Sequence, residues 1–160
     1  MIEIELLNSL LDGFQTVEWP IGPGVLSNSP EWYVYVFILS LGSRQIPFYA
    51  GQTKRLAARM GDYESAQFAA STDFRVGEAI RVFAQERQCG IKVRFKRSDH
   101  GLQDEYDIIR ELQLSGFHLL NSLLAYDYRR ASKEAEREVV QRFCRMILLQ
   151  AERGQHLANS

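Results

Sequence analysis

Residues 33–41 carry no charge and are dense in valine, isoleucine and aromatic side chains, which predicts a central strand buried on both faces. A turn at GSRQ and an apolar run over residues 46–50 predict an antiparallel return strand. In residues 91–96, apolar residues alternate with basic ones, which is typical of a strand with one solvated face. The pattern therefore predicts a small, mostly antiparallel sheet of about three strands.

Apolar residues at helical spacing predict helices before, between and after these strands. Thr53, Asp73 and Ser132 are candidate N-caps for three of them. The predicted helical ranges are about 4–14, 54–62, 74–88, 102–114 and 133–152, and the tail beyond residue 152 is expected to fray. The inward stripe predicted for the last helix is Ala135, Val139, Phe143, Met146 and Ile147.

Proline and glycine are concentrated in residues 15–32, which predicts an irregular arm between the first helix and the strands. The sequence therefore divides into an N-terminal helix and arm (1–30), a core (31–125) and a C-terminal helix that packs on the core (126–160). The predicted fold class is α/β, of the α+β kind, with a three-stranded sheet flanked by helices.

Composition and charge limit the classes of function. At 160 residues, with 46% apolar and 24% charged residues, the chain is typical of one globular domain. Its net charge of −1 means that contact with nucleic acid would depend on a local cluster of arginine and lysine. No run approaches the roughly 18 apolar residues of a membrane span, and the N-terminus lacks the basic region of a secretory signal. We therefore expect a cytoplasmic protein without a membrane partner.

One carboxylate, that of Glu105, falls on the predicted buried face of its helix. The other acidic residues of this helix, Asp104, Asp107 and Glu111, fall on the solvent side. A buried carboxylate is costly unless it is paired or bound to a cation. Glu105 therefore predicts either a metal ligand or an ion pair with an arginine such as Arg59. The apolar residues of the stripe around it are Leu102, Tyr106, Ile109 and Leu112.

Arg59 shares a predicted helix face with the apolar residues Leu56 and Met60 and with Tyr63. A guanidinium in that position could hold a phosphate by two parallel hydrogen bonds and stabilise charge that develops on it. On their own, the strand tyrosines Tyr35 and Tyr49 are typical of a sheet core, and Gly51 is typical of a turn.

Taken in order along the chain, these residues resemble the GIY-YIG nuclease family. Tyr33-Val34-Tyr35 stands at the first triad and Tyr49-Ala50-Gly51 at the second. The resemblance covers residues 31–121, although Tyr33 replaces a glycine and Ala50 a bulkier apolar residue. The triads are also farther apart than in compact members, so we expect a longer turn at Gly42-Ser43. The residues that match the family pattern are Tyr35, Tyr49, Gly51, Arg59, Tyr63, Glu105 and Asn121.

The resemblance implies a metal-dependent endonuclease that hydrolyses DNA phosphodiester bonds. Glu105 would bind Mg²⁺ or Mn²⁺, and Arg59 would stabilise the charge on the phosphate. Tyr35 or Tyr63 would position or deprotonate the attacking water, and Tyr49 would brace the phosphate or the water. Asn121 would orient the helix that carries Glu105. Two alternatives remain at this point: a non-catalytic module of this type that binds nucleic acid or a protein, and a nuclease that acts on RNA.

A few basic residues are candidates for contact with DNA. Lys54 and Arg55 open the helix that carries Arg59, where the helix dipole favours anions. Lys92, Arg94 and Lys96 share one face of the third strand, and the two lysines are interpreted mainly as a solvated surface. Because the sequence contains no recognisable second DNA-binding module, specificity would come from a homodimer, from the N-terminal arm or from a partner protein. The other candidate DNA contacts are Arg44, Arg129 and Arg130.

Overall fold

The computed structural model describes residues 2–27, 29–65, 71–86, 88–124 and 133–159. The strands are β1 (Gln15–Glu18), β2 (Trp32–Leu41), β3 (Arg44–Thr53) and β4 (Cys89–Ser98). The helices are α1 (Ile2–Leu10), α2 (Leu56–Ser65), α3 (Ser71–Ala84), α4 (Gly101–Leu114), α5 (Asn121–Leu124) and α6 (Lys133–Asn159). The strands form one antiparallel sheet in the order β1-β4-β2-β3.

Strand β2 lies at the centre of this sheet, between β4 and β3, and its middle is fully buried, as its uncharged sequence predicts. Side chains alternate between the two faces of a strand. Tyr35, Phe37 and Leu39 pack with α2, α3 and α6 on one face. Val34, Val36 and Ile38 pack with α1 and α4 on the other. The mixed α/β class with a largely antiparallel sheet is therefore confirmed.

A β-bulge in β3 lies next to Tyr49 and turns Phe48 to the same face of the sheet. Phe37 pairs with Tyr49, but the next residue, Ile38, pairs with Pro47, which leaves Phe48 as the extra residue. Phe48 and Tyr49 consequently belong to the same core cluster. The longer turn expected at Gly42-Ser43 is wrong: these two residues alone join β2 to β3, with Gly42 at φ 59°.

The expectation of three strands is wrong by one. Residues 15–18, placed in the irregular arm from sequence, form β1 and pair with β4 from Gln15↔Phe95 to Glu18↔Lys92. The side chains of β1 are mostly exposed, so the strand carries little of the apolar signal by which strands are recognised. Strand β4 begins at Cys89, and for that reason α3 ends at Ala84 and not near Gln88.

Several helix boundaries and faces also differ from their predictions. Helix α2 begins at Leu56, and Thr53 instead ends β3, where its hydroxyl accepts a hydrogen bond from the Arg55 backbone N–H at 2.9 Å. On α4, Leu102 and Tyr106 are 70% and 61% exposed, so they are not part of a buried stripe. The buried residues of α4 are Gly101, Ile108 and Leu112, and Glu105 and Ile109 are half-buried beside them.

Helix α6 continues through Asn159, beyond the expected end near residue 152. Its buried face includes Phe143 and Ile147, as predicted, whereas Ala135 and Met146 are exposed and Val139 is half-buried. The other buried positions of this face are Glu136, Val140, Cys144 and Ala151. Residue 132, proposed as its cap, lies outside the described residues. Within the described ranges, no helix is both long enough and apolar enough to cross a membrane.

The three-part division of the chain at residues 30 and 125 stays a prediction. Strand β1, which lies before the first boundary, is hydrogen-bonded into the same sheet as the core strands. Helix α6, which lies after the second, contributes Val140, Phe143 and Ile147 to the core beneath β2 and α3. Both flanking elements thus share their apolar contacts with the sheet.

Candidate functional site

Three tyrosines meet on one face of the sheet, from three different elements. Tyr35 comes from β2, Tyr49 from β3 and Tyr63 from α2. The hydroxyl oxygens of Tyr35 and Tyr63 are hydrogen-bonded at 2.6 Å, and the ring of Tyr49 lies 6.3 Å from that of Tyr35 and 6.2 Å from that of Tyr63 between centroids. All three side chains are buried. We call these residues the tyrosine cluster.

Gly51 makes room for this cluster. It pairs directly with Tyr35 across the two strands, and the Tyr35 ring lies over its backbone. A Cβ atom at position 51 would lie 2.5 Å from the Cζ atom of Tyr35, well inside van der Waals contact. The glycine is therefore required by the close approach of the ring, and the turn that its sequence context suggested is not what fixes it, because residue 51 lies inside β3.

Arg59 lies against the tyrosine cluster. Its guanidinium carbon is 4.6 Å from the centroid of the Tyr63 ring. Its Nη1 atom is 2.5 Å from Oδ1 of Asp73 and 3.7 Å from Oδ2 of Asp62. The side chain is 26% exposed, so part of the guanidinium remains open to solvent. Its recorded ion pairs are with Asp62 and Asp73, so the alternative of an ion pair between Arg59 and Glu105 is not seen.

Electrostatics keep the phenols of this cluster neutral. Burial raises the pKa of Tyr35 and of Tyr63 above the ordinary value of 10.0, although the Arg59 charge opposes part of the increase. For Arg59 itself burial lowers the pKa, but Tyr63, Tyr35 and Asp73 outweigh this effect and raise it overall, so the guanidinium stays charged. The tyrosines can therefore donate and accept hydrogen bonds near neutral pH. A neutral phenol is a poor base, so these tyrosines would not deprotonate a water molecule without help from another group.

Glu105 is positioned by α4, which packs on the other face of the sheet. Its side chain is half-buried, and burial raises the pKa of its carboxyl group. Burial also raises the pKa of Tyr49, and the Glu105 carboxylate raises it further. Among the described residues, no cation is recorded within ion-pair distance of Glu105.

At a cation site here, Glu105 would be the one protein ligand among the described residues. In the described part of the chain, no three or more His, Cys, Asp or Glu side chains are grouped so that they could hold a metal ion. A half-exposed carboxylate without a cationic partner is nevertheless an oxygen donor of the kind that Mg²⁺ accepts, with water and phosphate oxygens at its remaining positions.

Asn121 binds the edge strand and not the glutamate helix. Its side-chain N–H donates to the Ala50 carbonyl at 2.8 Å, and its Oδ1 accepts from the Ala50 N–H at 2.9 Å. The neighbouring Leu120 N–H donates to the Phe48 carbonyl at 2.6 Å. Asn121 therefore fixes the backbone between Tyr49 and Gly51, which is how it supports the candidate site.

The candidate DNA contacts do not form one cluster. Lys54 and Arg55 are exposed just before α2, and Lys54 Nζ lies 4.7 Å from the centroid of the Trp32 ring. Arg44 begins β3 at its opposite end, roughly 30 Å away at the rise of an extended strand, and donates to the Gln150 and Ala151 carbonyls of α6 at 3.2 and 2.7 Å. Residues 129 and 130 lie outside the described residues.

The basic face of β4 is partly covered. Arg94 donates from Nη1 to Oδ1 of Asn8 at 3.0 Å and from Nη2 to the Leu11 carbonyl at 3.4 Å. Arg94 is therefore half-buried, because the end of α1 and the residues after it lie over it. Lys96 is exposed, as expected for that face.

Sequence reasoning assigned Asp73 only to a helix cap. The residue lies in the first turn of α3, is 6% exposed, and faces the guanidinium of Arg59. An aspartate at a helix start gives the same signal whether it caps the helix or pairs with an arginine, so the sequence alone does not separate the two roles.

Comparison of the chain with protein-family models, curated proteins and solved structures found no match.

Proposed function

We propose that this protein is a metal-dependent endonuclease that hydrolyses DNA phosphodiester bonds through a site of the GIY-YIG type. The observation that carries the proposal is the convergence of Tyr35, Tyr49, Tyr63 and Arg59 on one cluster. These residues come from two strands and one helix, and the Glu105 carboxylate contributes to the raised pKa of Tyr49. A cation, three phenols and a carboxylate are suited to binding a phosphodiester and the water that attacks it.

Each side chain has a separate task in this proposal. The partly exposed guanidinium of Arg59 binds the scissile phosphate and stabilises its developing negative charge. Because burial keeps the phenols protonated, Tyr35, Tyr49 and Tyr63 act as hydrogen-bonding groups that hold the attacking water and a phosphate oxygen. Glu105 holds Mg²⁺ or Mn²⁺, which when bound supplies Lewis-acid polarisation of the phosphate.

The substrate would be bound at Lys54 and Arg55, which are exposed beside the start of α2. With a net charge of −1 the whole chain contributes little attraction, so we expect modest affinity that falls as salt is added. RNA is the alternative substrate, since a phosphate contact does not distinguish the two sugars. Sequence or structure preference would come from a homodimer or from a partner protein.

The test is cleavage of supercoiled plasmid DNA in Mg²⁺ or Mn²⁺, with a parallel assay on RNA. The parent chain should nick or cut the DNA, Glu105→Ala should lose that activity, and chelation of the metal should abolish it. Glu111→Ala is the matched control, because Glu111 is an exposed glutamate on the same helix. Equal cleavage by the parent and Glu105→Ala would refute the proposed metal site.

A non-catalytic binding module is the second candidate, and the burial of the site favours it. Tyr35 and Tyr63 are each only 1% exposed, and Asp73 already occupies the Nη1 atom of Arg59. Under this alternative the parent chain binds nucleic acid or a protein but cuts neither substrate with any divalent metal. Salt-sensitive binding without cleavage would select it.

A further inference from the structure

The ion pair between Arg59 and Asp73 joins two helices next to the tyrosine cluster. Nη1 of Arg59, on α2, is 2.5 Å from Oδ1 of Asp73, on α3. Asp73 is 6% exposed, and its Oδ1 atom is held by this ion pair alone, since among the described residues no donor makes a hydrogen bond to it. The position in the first turn of α3 also favours a negative charge, because the helix dipole is positive there.

This pairing constrains where the guanidinium can point. The Tyr63 ring lies beneath it at 4.6 Å, and Asp73 and Asp62 both approach its Nη1 atom. A guanidinium carries five N–H donors in a rigid plane, so fixing one end and one face fixes the direction of the others. The contacts with Asp62 and Asp73 both use Nη1, which leaves the Nε and Nη2 donors for an incoming anion.

We infer that Asp73 is a positioning residue for the cleavage reaction: it holds the guanidinium of Arg59 over Tyr63, in the orientation that presents Nε and Nη2 to the scissile phosphate. The inference rests on the nuclease function proposed above. An arginine side chain has many rotamers, and ordering it when substrate binds would cost conformational entropy. Because the ion pair with Asp73 orders the Arg59 side chain when the protein folds, Arg59 is preorganised before the phosphate binds.

The kinetic test compares the parent with Asp73→Asn, which keeps the shape of the side chain and removes its charge. We expect kcat to fall about 10- to 100-fold with little change in KM, because a misdirected guanidinium loses mainly transition-state stabilisation. Asp73→Glu, which restores the charge, should recover part of the loss. Asp12→Asn, a neutral substitution of an exposed aspartate away from the cluster, should leave cleavage unchanged.

A double-mutant cycle separates positioning from a merely structural role. If Asp73 acts through Arg59, Asp73→Asn should have no further effect on the cleavage that remains in Arg59→Ala. An equal loss in both backgrounds would show that Asp73 acts by another route and would overturn the inference. So would full activity of Asp73→Asn in a parent chain that cleaves, and in that case the proposed nuclease function would stand.

A second readout does not depend on cleavage. In ¹H–¹⁵N spectra of the arginine side chains, with Arg59 assigned from Arg59→Lys, the parent should give separate, slowly exchanging Nη signals. Asp73→Asn should give averaged signals at a temperature where it remains folded, and Asp73→Glu should restore them. Averaged signals in the parent would overturn the inference. A parent with fixed Arg59 signals and no cleavage would instead refute the nuclease proposal, and with it the catalytic role of Asp73.

Discussion

The hydroxyl oxygens of Tyr35 and Tyr63 lie 2.6 Å apart in a buried contact that ties the central strand β2 to helix α2. Both side chains also touch the ring of Phe37, with centroids 6.0 and 5.4 Å away. The contact is both a folding constraint and the centre of the candidate site, since Arg59 lies over the Tyr63 ring. Because these two hydroxyl groups are buried away from solvent, each depends on the other as its hydrogen-bond partner.

Removal of either hydroxyl alone should therefore lower the free energy of unfolding by more than half of the loss caused by removing both. Tyr35→Phe or Tyr63→Phe leaves a buried hydroxyl without this partner, and we expect each to lower the free energy of unfolding by about 1–3 kcal/mol. The double variant should lose less than the sum of the two. Urea unfolding of the four proteins measures the coupling. Additive losses would show that the two hydroxyls do not depend on each other.

Gly51 offers a sharper test of packing, because Gly61 provides a control in the same protein. A Cβ at position 51 would collide with the Tyr35 ring, whereas nothing lies within 4 Å of one at position 61. We expect Gly51→Ala to destabilise the fold by about 1–3 kcal/mol. Gly61→Ala, at an exposed position inside α2, should stabilise it by about 0.5–1 kcal/mol. Thermal and urea unfolding measure both, and equal effects would contradict the close approach described for Gly51.

Glu105→Gln should separate stability from activity. Burial raises the pKa of the Glu105 carboxyl above its ordinary value of 4.5, so the folded state binds its proton more tightly than the unfolded state does. The stability that this group contributes is complete below pH 4.5 and is lost as pH rises through the folded pKa. The neutral amide avoids that loss, so near neutral pH Glu105→Gln should be at least as stable as the parent while it fails to cut DNA.

The measurement for this prediction is the free energy of unfolding of both proteins from acid to neutral pH. The difference in favour of Glu105→Gln should grow as pH increases. Glu111→Gln should show no such trend, because Glu111 is exposed. A difference that is constant with pH would mean that burial does not disfavour the charge of Glu105.

Arg55→Ala should weaken binding of DNA, since Arg55 is exposed beside the candidate site. Loss of one phosphate contact should reduce the salt dependence of binding, the slope of log K against log salt, by about 1. Arg142→Ala removes a charge that is also exposed, on α6, where Arg142 pairs with Glu138 at 2.7 Å, and should change neither quantity. Fluorescence anisotropy of a labelled duplex over a range of salt concentrations measures both. Equal losses in the two variants would indicate binding through overall charge alone.

The elements that sequence predicts correctly are those whose own residues carry the signal. The uncharged run of β2 and the alternation of β4 both reflect burial that each strand experiences along its length. The convergence of the tyrosines with Arg59 was an expectation from the order of residues in a family pattern. The structure brings these four side chains together on one face of the sheet, and Glu105 lies on α4, which packs on the other face.

The features that sequence reasoning missed depend on partners that are distant in the chain. Strand β1 exists because β4 offers it an edge, and its own four residues are largely polar. The exposure of Leu102 and Tyr106 follows from how α4 lies on the sheet, where Gly101 is packed against the Trp32 ring, and periodicity does not report that orientation. The role of Asp73 depends on Arg59, fourteen residues earlier, with no spacing rule to connect them.

The bonds that Asn121 and Leu120 make to β3 have a consequence for self-association. An outermost strand normally offers its unpaired amides and carbonyls to a second molecule, which is a common route to sheet extension and aggregation. Here the outward groups of Phe48 and Ala50 are already occupied by a side-chain amide and a backbone N–H from the same chain. A strand from another copy would have to displace these bonds before it could pair with β3 at residues 48 and 50.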